Sequence, residues 1–365
     1  MRYFIAGNVK KIPTFDKLGF FWLIVTNNQT KDYEYLAKFK ATNTNTNTNT
    51  NLGTLIGEYP KQKWATKIID RNNNGKDDLV AEINPWNIKS ADGYAKMYYN
   101  KETKVISYKQ DLSNIKQIDA NGYVLAYPEI FVGNKPWNGN YVNDGSNLPV
   151  KTDNIKSLIV NAKWDYTHDK NLSSNFAMEG WFTKKEFEKT SVGNGETEMM
   201  IMWYKNIQGA AGKKIWTANI PVKVNGINKN IKFDIFKAKI GWNFITFIPQ
   251  NYKDFKNVEV TFDVVDFINV VKKLNPGISD LYLENWEFGT EYGSPTIKKA
   301  KLSWNIYKYD VKAILKNTAV SKKNIDNNNK LDKKLDIFFS KMKQKYTKDE
   351  YRKKLILLIG KIDKI

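Results

Sequence analysis

The sequence predicts an all-β fold, a sandwich or a barrel, for the central part of its 365 residues. Between about residues 57 and 318, short runs rich in Val, Ile, Tyr, Phe and Trp are separated by clusters of Gly, Asn, Asp and Pro. Short β-prone runs between turn residues are typical of strands in a sandwich or barrel and not of βαβ units. The best helical candidate in this region covers only 266–274. Clear strand candidates are 104–108, 157–161, 243–248 and 258–263.

The N-terminal segment, residues 1–40, contains one short apolar run, Gly19–Val25. This run cannot span a bilayer, which takes about 20 apolar residues. It is at the lower length limit for the apolar core of a signal peptide, and no clear small-residue cleavage site follows it. We leave three interpretations open for this segment: a leader, an anchor or a mis-started terminus.

Residues 41–56 are predicted to form a linker. Thr and Asn alternate from Thr42 to Asn51, so both faces of an extended chain would be polar and no core could form on either.

The C-terminal residues 319–365 change to helical spacing and are predicted to form a basic helical tail. The segment 347–350, Thr-Lys-Asp-Glu, has a capping-box pattern and opens a second helix after a first apolar stripe. A packed cap is favoured over a docking module or a membrane-surface contact, because apolar stripes usually face a core. The first stripe consists of Leu335, Phe338, Phe339, Met342 and Tyr346.

The composition restricts the chemistry that the chain can perform. It has no Cys and one His, which excludes thiol nucleophiles, cysteine zinc sites and polyhistidine metal sites. No Gly-x-Ser-x-Gly motif accompanies His168, so we expect a solvated loop residue there and hydrolytic chemistry based on carboxylates. The net charge of +20 comes largely from scattered Lys and the tail, with few Arg, and we expect no nucleic-acid partner.

Two segments carry carboxylates within apolar strands. In 196–204, period-two alternation puts Glu196, Glu198, Met200, Met202 and Tyr204 on one face, and Met199, Ile201 and Trp203 on the other. A carboxylate among Met side chains is costly unless it is hydrogen-bonded or functional, although a solvated strand start remains open.

The second segment, 281–295, carries Glu287 and Glu291 beside Gly289 and Gly293. Glycine permits a ligand to approach the backbone closely, and a solvated loop carboxylate is the alternative. Two Glu residues on separate strands of a concave sheet are what a retaining glycosidase requires.

Several segments resemble glycoside hydrolase family 12. Glu198-Met-Met-Ile is similar to the nucleophile strand of that family, and 288–293, Phe-Gly-Thr-Glu-Tyr-Gly, is similar to its acid/base strand. The matches follow the order of the family over about residues 66–312 and most resemble its hyperthermophilic archaeal, Pyrococcus-type endoglucanases. The further similar segments are 82–87, 126–137, 175–183 and 284–295.

The resemblance implies a β-jelly-roll sandwich of two antiparallel sheets with a concave cleft. It implies that Glu198 is the nucleophile and Glu291 the acid/base, with Glu179 and Met200 in support. The family Trp four residues after the nucleophile is Met202 here.

The same resemblance implies that Asn84, Trp86 and Trp137 line the cleft. For these two tryptophans the alternative is core packing, but their Asn-Pro-Trp and Lys-Pro-Trp loop settings favour the cleft. Five further tryptophans are left as core or unassigned, namely Trp64, Trp164, Trp216, Trp242 and Trp304.

The implied activity is endo-β-1,4-glucan hydrolysis by a secreted, thermophilic-type cellulase at the cell surface or outside the cell. Xyloglucan specificity and a non-catalytic carbohydrate-binding jelly roll are the alternatives. We expect a monomer with a β-glucan partner, no required cofactor, and membrane contact only through the N-terminal segment.

A structural calcium site is suggested by Asp70, Asn72, Asn74 and Asp78, with a plain Asn-Gly turn as the alternative.

Overall fold

The computed structural model describes residues 52–316, except 73, 74, 76, 77, 143 and 144, and the backbone of 20–26 and 33–40. The chain divides into two compact units, 1–51 and 52–365. In the first unit, strands β1 (Phe20–Thr26) and β2 (Tyr33–Lys40) pair antiparallel. The Thr-Asn tract 42–51 and the predicted helical tail 319–365 lie outside the described residues.

The second unit is built from strands that form one continuous, mostly antiparallel hydrogen-bonded sheet. Its first strand begins at Thr54, within the segment that the sequence assigned to the linker. The strands are β3 (Thr54–Tyr59), β4 (Thr66–Ile69), β5 (Leu79–Glu82), β6 (Ile88–Tyr99), β7 (Ile106–Gln117), β8 (Glu129–Asn134), β9 (Tyr141–Val142), β10 (Val150–Lys151), β11 (Ile155–His168), β12 (Ser174–Thr183), β13 (Thr197–Asn206), β14 (Lys213–Val224), β15 (Ile227–Lys239), β16 (Asn243–Pro249), β17 (Asn257–Asp263), β18 (Tyr282–Leu283), β19 (Asn285–Gly289) and β20 (Ala300–Leu315).

Strand pairing folds this sheet into two layers. One layer has the order β3-β6-β7-β20-β11-β17, and the other has the order β4-β5-β8-β19-β12-β13-β16-β15-β14. The layers are joined at one edge, where the end of β14 pairs with the middle of β17. Among the described strand pairs, only β13 and β16 run parallel. This is the β-jelly-roll sandwich that the sequence predicted.

One α-helix, α1 (Val264–Leu274), occurs in the described part of the chain and begins two residues before the predicted helix. Asp263 caps it by accepting a hydrogen bond from the backbone N–H of Val265 at 2.9 Å. Three short 3-10 helices cover Thr152–Asn154, Tyr252–Phe255 and Pro276–Asp280. No helix within the described residues is both long and apolar enough to cross a membrane.

The core between the layers contains four fully buried tryptophans, Trp164, Trp203, Trp286 and Trp304. Trp203 packs against Phe262 and Phe255, with ring centroids 5.1 and 5.2 Å away. Filling this space with large rings removes much apolar area from water, at about 25 cal/mol per Å². Of the tryptophans left as core or unassigned, Trp164 and Trp304 therefore belong to the core.

A β-bulge in β13 changes the predicted alternation at its end. Tyr204 pairs with Phe176 and Met202 pairs with Ala177, so Trp203 has no residue opposite it on β12. Trp203 lies on the face opposite Glu198, as predicted, and points into the core. The extra residue also returns Tyr204 to the core side, so its predicted position on the face of Glu198 is wrong. There Tyr204 hydrogen-bonds Nε2 of His168 at 2.9 Å. His168 ends strand β11 half-buried, and the solvated loop position expected for it is also wrong.

Candidate active site

The face of β12 and β13 that points away from the core lines a cleft of about 1570 Å³. Its lining residues start at β4, continue across β12 and β13, and reach β16, so the cleft crosses most of the layer. Trp86 and Trp137 are 45% and 43% exposed, which leaves flat apolar ring faces accessible. The aromatic lining consists of Trp64, Trp86, Tyr123, Tyr127, Trp137, Trp181, Trp242 and Phe244.

Glu291 lines this cleft two residues after the end of β19. Asn175, on β12, holds it in place: its side-chain amide N–H donates to Glu291 Oε2 at 2.7 Å, and its Oδ1 accepts from the Glu291 backbone N–H at 3.0 Å. The backbone carbonyl of Glu291 in turn accepts from the N–H of Asn175 at 2.9 Å. Gln208, in the turn after β13, donates to the same carboxylate oxygen at 3.1 Å. The carboxyl group is thus fixed by two amide side chains.

Glu198 lies on β13 with its carboxylate in the same cleft, and it is 5% exposed. Its neighbour across the antiparallel pair with β12 is Trp181, and its neighbour across the parallel pair with β16 is Phe244. The indole N–H of Trp242, from the turn between β15 and β16, donates to Glu198 Oε2 at 2.8 Å. The carboxylate is therefore flanked by aromatic side chains and oriented by one of them.

Burial and mutual repulsion control the titration of the two carboxyl groups. Burial raises the pKa of Glu291 to about 7, even though the hydrogen bonds from Asn175 and Gln208 lower it. Burial raises the pKa of Glu198 well above its ordinary value, the charge of Glu291 raises it further, and the Trp242 hydrogen bond opposes both. Since each ionised group disfavours ionisation of the other, the two carboxyl groups titrate as a coupled pair.

Glu179 and Met200, the predicted supporting residues, lie opposite each other in the β12–β13 pair. Glu179 lines the cleft, and burial, followed by the charge of Glu198, raises its pKa well above the ordinary value. Met200 is fully buried beneath the cleft with Met202 and Ala177, on the side of β13 opposite Trp203. Its sulfur lies 4.0 Å from the side-chain amide nitrogen of Asn175, the residue that holds Glu291.

The predicted substrate-binding residues Asn84, Trp86 and Trp137 all line the cleft. Trp137 has a φ of 80°, a left-handed conformation that is rare for a residue other than glycine. In that conformation its ring makes edge contacts with Trp181 at 6.0 Å and Trp242 at 5.9 Å. The structure thus brings the predicted catalytic and sugar-binding residues and Glu179 into one cleft, with Met200 buried beneath it.

A buried lysine lies beneath the cleft and was not predicted. Nζ of Lys135 is 2.9 and 3.0 Å from the two carboxylate oxygens of Glu129 and 2.7 Å from Oε2 of Glu287. Asn84 also donates to Glu129, at 2.9 Å. Burial lowers the pKa of Lys135, but the charges of Glu129 and Glu287 raise it by more, so the lysine is a permanent cation. We refer to Lys135, Glu129 and Glu287 as the buried ion cluster.

A sequence model of glycosyl hydrolase family 12 matches residues 77–313, well over half of the chain. The chain belongs to glycosyl hydrolase family 12. It is therefore a glycoside hydrolase, as the sequence predicted, and the matched region includes both Glu198 and Glu291.

Solved family 12 structures have the same fold. A family 12 xyloglucanase from Bacillus licheniformis is 18% identical over 69% of this chain and 99% of its own, with a TM-score of 0.52. An endoglucanase from Rhodothermus marinus is 20% identical over 70% of this chain and 97% of its own, with a TM-score of 0.51. Endoglucanase 3 from Trichoderma harzianum is 17% identical over 69% of this chain and 96% of its own, also with a TM-score of 0.51. No curated protein sequence matches the chain.

The loop suggested for calcium begins before the family 12 match and has its own hydrogen bonds. Asp78 accepts from the backbone N–H of Asn72 at 3.0 Å and from that of Arg71, and Asp70 accepts from the N–H of Gly75 at 2.9 Å. Asn74 lies outside the described residues. Within the described part of the chain, no group of three or more acidic or metal-ligating side chains could hold a metal. The contacts favour the turn alternative, in which these carboxylates bind backbone N–H groups.

Sequence reasoning missed several residues of the family 12 cleft. Trp242 and Trp64 were left as core or unassigned, yet both line it. Trp242 follows Gly241 in a turn, so the loop setting that favoured Trp86 and Trp137 would have identified it. For Asn175 and Gln208 the local sequence offers no comparable signal, because each acts through a residue distant in the chain.

Proposed function

We propose that the protein is a retaining endo-β-1,4-glucanase that cleaves internal bonds of cellulose-type or mixed-linkage β-glucan. The observation that carries this proposal is that Glu198, on β13, and Glu291, just after β19, line one aromatic cleft and that the charge of Glu291 raises the pKa of Glu198. Retaining hydrolysis needs two carboxyl groups about 5–5.5 Å apart, one ionised and one protonated. A coupled pair that shares one proton meets the second of these requirements.

In the first step, an oxygen of the Glu198 carboxylate attacks the anomeric carbon while the protonated Glu291 gives its proton to the glycosidic oxygen. The carbon–oxygen bond to the leaving sugar breaks, a glycosyl ester forms on Glu198, and the leaving chain departs with a free 4-hydroxyl group. The raised pKa of Glu291, about 7, keeps it protonated below neutral pH.

In the second step, Glu291 is ionised and takes a proton from water. The water oxygen attacks the anomeric carbon from the face that the leaving group occupied, and the ester bond to Glu198 breaks. Two inversions give net retention of configuration, and both carboxyl groups return to their starting forms. Water is the only co-substrate that this chemistry requires.

The shape and lining of the cleft support a polymeric glucan as substrate. Rings from β4 at one side to β16 at the other can stack on successive glucose units. Among the described contacts, buried polar atoms of three cleft residues have no hydrogen-bond partner: Glu179 Oε2, Trp181 Nε1 and Gln208 Oε1. Sugar hydroxyl groups can satisfy such atoms. Similar structures include both an endoglucanase and a xyloglucanase, so the branched polymer is included in the test below.

The decisive experiment measures reducing ends released from barley β-glucan, carboxymethylcellulose and xyloglucan. We expect activity in the wild-type protein and a loss of at least a hundredfold, on the order expected for general-acid or nucleophile removal, in Glu198→Gln and Glu291→Gln. Glu259→Gln is the matched control, because Glu259 lies on β17, outside the cleft, and should retain full activity.

The two roles can then be separated with azide. Azide should rescue Glu198→Ala to an α-glycosyl azide and Glu291→Ala to a β-glycosyl azide, since only the first variant lacks the nucleophile. Full activity in either Gln variant would contradict the proposal, and glucan binding without released reducing ends in wild type would favour a non-catalytic carbohydrate-binding jelly roll.

Location and ancestry are part of the same proposal. We propose that the enzyme acts outside the cell or at its surface as a monomer, because its polymeric substrate cannot enter a cell. The segment 284–295 further suggests kinship with the hyperthermophilic archaeal endoglucanases. Size-exclusion chromatography and assays of the culture medium against the cell fraction test the first two statements.

A further inference from the structure

Trp242 lies in the tight turn that links β15 to β16, at the mouth of the cleft. Its neighbours Gly241 and Asn243 continue the hairpin, in which Lys239 pairs with Asn243. The indole is half-buried. Its ring lies 5.6 Å from the ring of Trp181 and 5.9 Å from that of Trp137, both in edge contact. These contacts restrict the rotation of the indole and fix the direction of its N–H bond.

That N–H bond points at one oxygen of Glu198. The distance from Trp242 Nε1 to Glu198 Oε2 is 2.8 Å, a good hydrogen bond to a carboxylate. Indole N–H is a donor only, so it stabilises the ionised form of the carboxyl group and cannot accept a proton from the protonated form. With Oε2 engaged, Oε1 is the oxygen available to attack a sugar.

Ionisation of Glu198 is otherwise opposed by the groups around it. Carboxyl groups face it from β12 (Glu179), from β19 (Glu287) and from the residue after β19 (Glu291), and all three penalise its charge. The charge that favours it comes from Lys135, which is already bound to Glu129 and Glu287. A direct hydrogen-bond donor is therefore needed to keep this carboxylate charged.

We propose that Trp242 is a positioning residue for the nucleophile: its indole N–H holds Glu198 ionised and turns Oε1 toward the anomeric carbon. The proposal rests on the function assigned to Glu198 above. Trp242 acts through Glu198, so replacing Trp242 should change kcat and the acid limb of the pH profile more than it changes KM.

The test compares Trp242→Phe with wild type in pH profiles of kcat/KM on β-glucan. Phenylalanine keeps ring contacts but has no N–H. We expect kcat to fall about ten- to a hundredfold and the acid limb to move up by about one pH unit, as the loss of a hydrogen bond to a charged group predicts. Trp216→Phe is the matched control. Trp216 lies on β14, is 42% exposed and does not line the cleft, so kcat and the acid limb of this variant should stay unchanged.

A second measurement uses wild-type protein, so that it does not depend on the folding of a variant. In ¹⁵N-labelled protein, one indole N–H resonance should shift with pH at the midpoint of the acid limb, and this titration should vanish in Glu198→Gln. An unchanged acid limb in folded Trp242→Phe, or no indole resonance that titrates there, would overturn the inference. Full activity in Glu198→Gln would instead overturn the proposed function itself, which keeps the two failures distinct.

Discussion

Gln208 donates a hydrogen bond from Nε2 to Oε2 of Glu291 at 3.1 Å, although 83 positions separate the two residues in the chain. The turn that carries Gln208 follows β13, the strand of Glu198, so the strand of the proposed nucleophile also leads to a hydrogen bond on the proposed acid/base. The bond favours the ionised form of Glu291 and opposes the effect of burial on its pKa.

Replacing Gln208 by Met should move the basic limb of kcat/KM to higher pH. Burial puts the pKa of Glu291 at about 7, and removal of a donor to the carboxylate raises it, so the proton needed for catalysis is lost at higher pH. We expect an upward shift of about one unit. Gln250→Met is the control, since Gln250 donates to Asp234 on the surface, and an equal shift there would refute the explanation.

Replacing Lys135 by Met should destabilise the protein because it leaves the carboxylates of Glu129 and Glu287 buried without a cation. Removing one partner of a buried ion pair costs about 3–5 kcal/mol. Burial already raises the pKa of Glu129, and without the charge of Lys135 it rises further in the folded variant, so the loss measured by urea unfolding should be larger at pH 8 than at pH 5.

Adding Glu287→Gln to Lys135→Met removes one of the two unpaired carboxylates and should restore part of the stability. Lys96→Met is the matched control, since Lys96 pairs with Glu58 at the surface over 3.1 Å and should have a much smaller effect. No recovery in the double variant would count against the role of the buried ion cluster.

Glu284 should make the free energy of unfolding depend on pH. Burial raises the pKa of this fully buried group to about 7, against hydrogen bonds from Asn134 and Thr183 that lower it. A raised folded-state pKa contributes stability below about 4.5, and this contribution is lost as the pH rises through about 7. In Glu284→Gln the difference in unfolding free energy between pH 5 and pH 8 should shrink by about 2–3 kcal/mol. Glu186→Gln, at an exposed site in the loop after β12, should leave the difference unchanged.

Two tryptophans should separate stability from substrate binding. Trp203→Ala removes a fully buried ring and should cost about 3–5 kcal/mol in unfolding free energy. Trp86→Ala removes a ring that is 45% exposed in the cleft, so it should raise KM about tenfold with little change in melting temperature. Calorimetry and initial rates on β-glucan measure both effects. A large loss of stability in Trp86→Ala would indicate that Trp86 packs in the core and would contradict its assignment to the cleft.

Much of the fold was predictable because the spacing of apolar residues along a segment indicates which side chains are buried. Alternation along 196–204 put Glu198 and Trp203 on opposite faces, and the structure has them in the cleft and in the core. Tyr204 was misplaced because the bulge depends on the register with β12, which no single strand encodes. The helix was predicted because its apolar spacing is local, and its Asp263 cap extends it by two residues.

The candidate site was predictable where function requires a particular residue type within a local motif. Glu198, Glu291, Asn84, Trp86 and Trp137 were proposed from short segments, and all five line one cleft. The residues that hydrogen-bond the carboxyl groups of Glu198 and Glu291 were not predicted from such short segments. Asn175, Gln208 and Trp242 bind the two carboxyl groups from other strands and turns.

The sequence by itself determined the fold class and the family and led to the two proposed acids, because each of these depends on short motifs of residues that are neighbours in the chain. Tertiary structure alone decided which hydrogen bonds and charges surround those acids, and therefore how they titrate. The physical reason is that a pKa depends on burial and on donors within a few ångströms, and in a jelly roll such neighbours come from strands that are far apart in sequence.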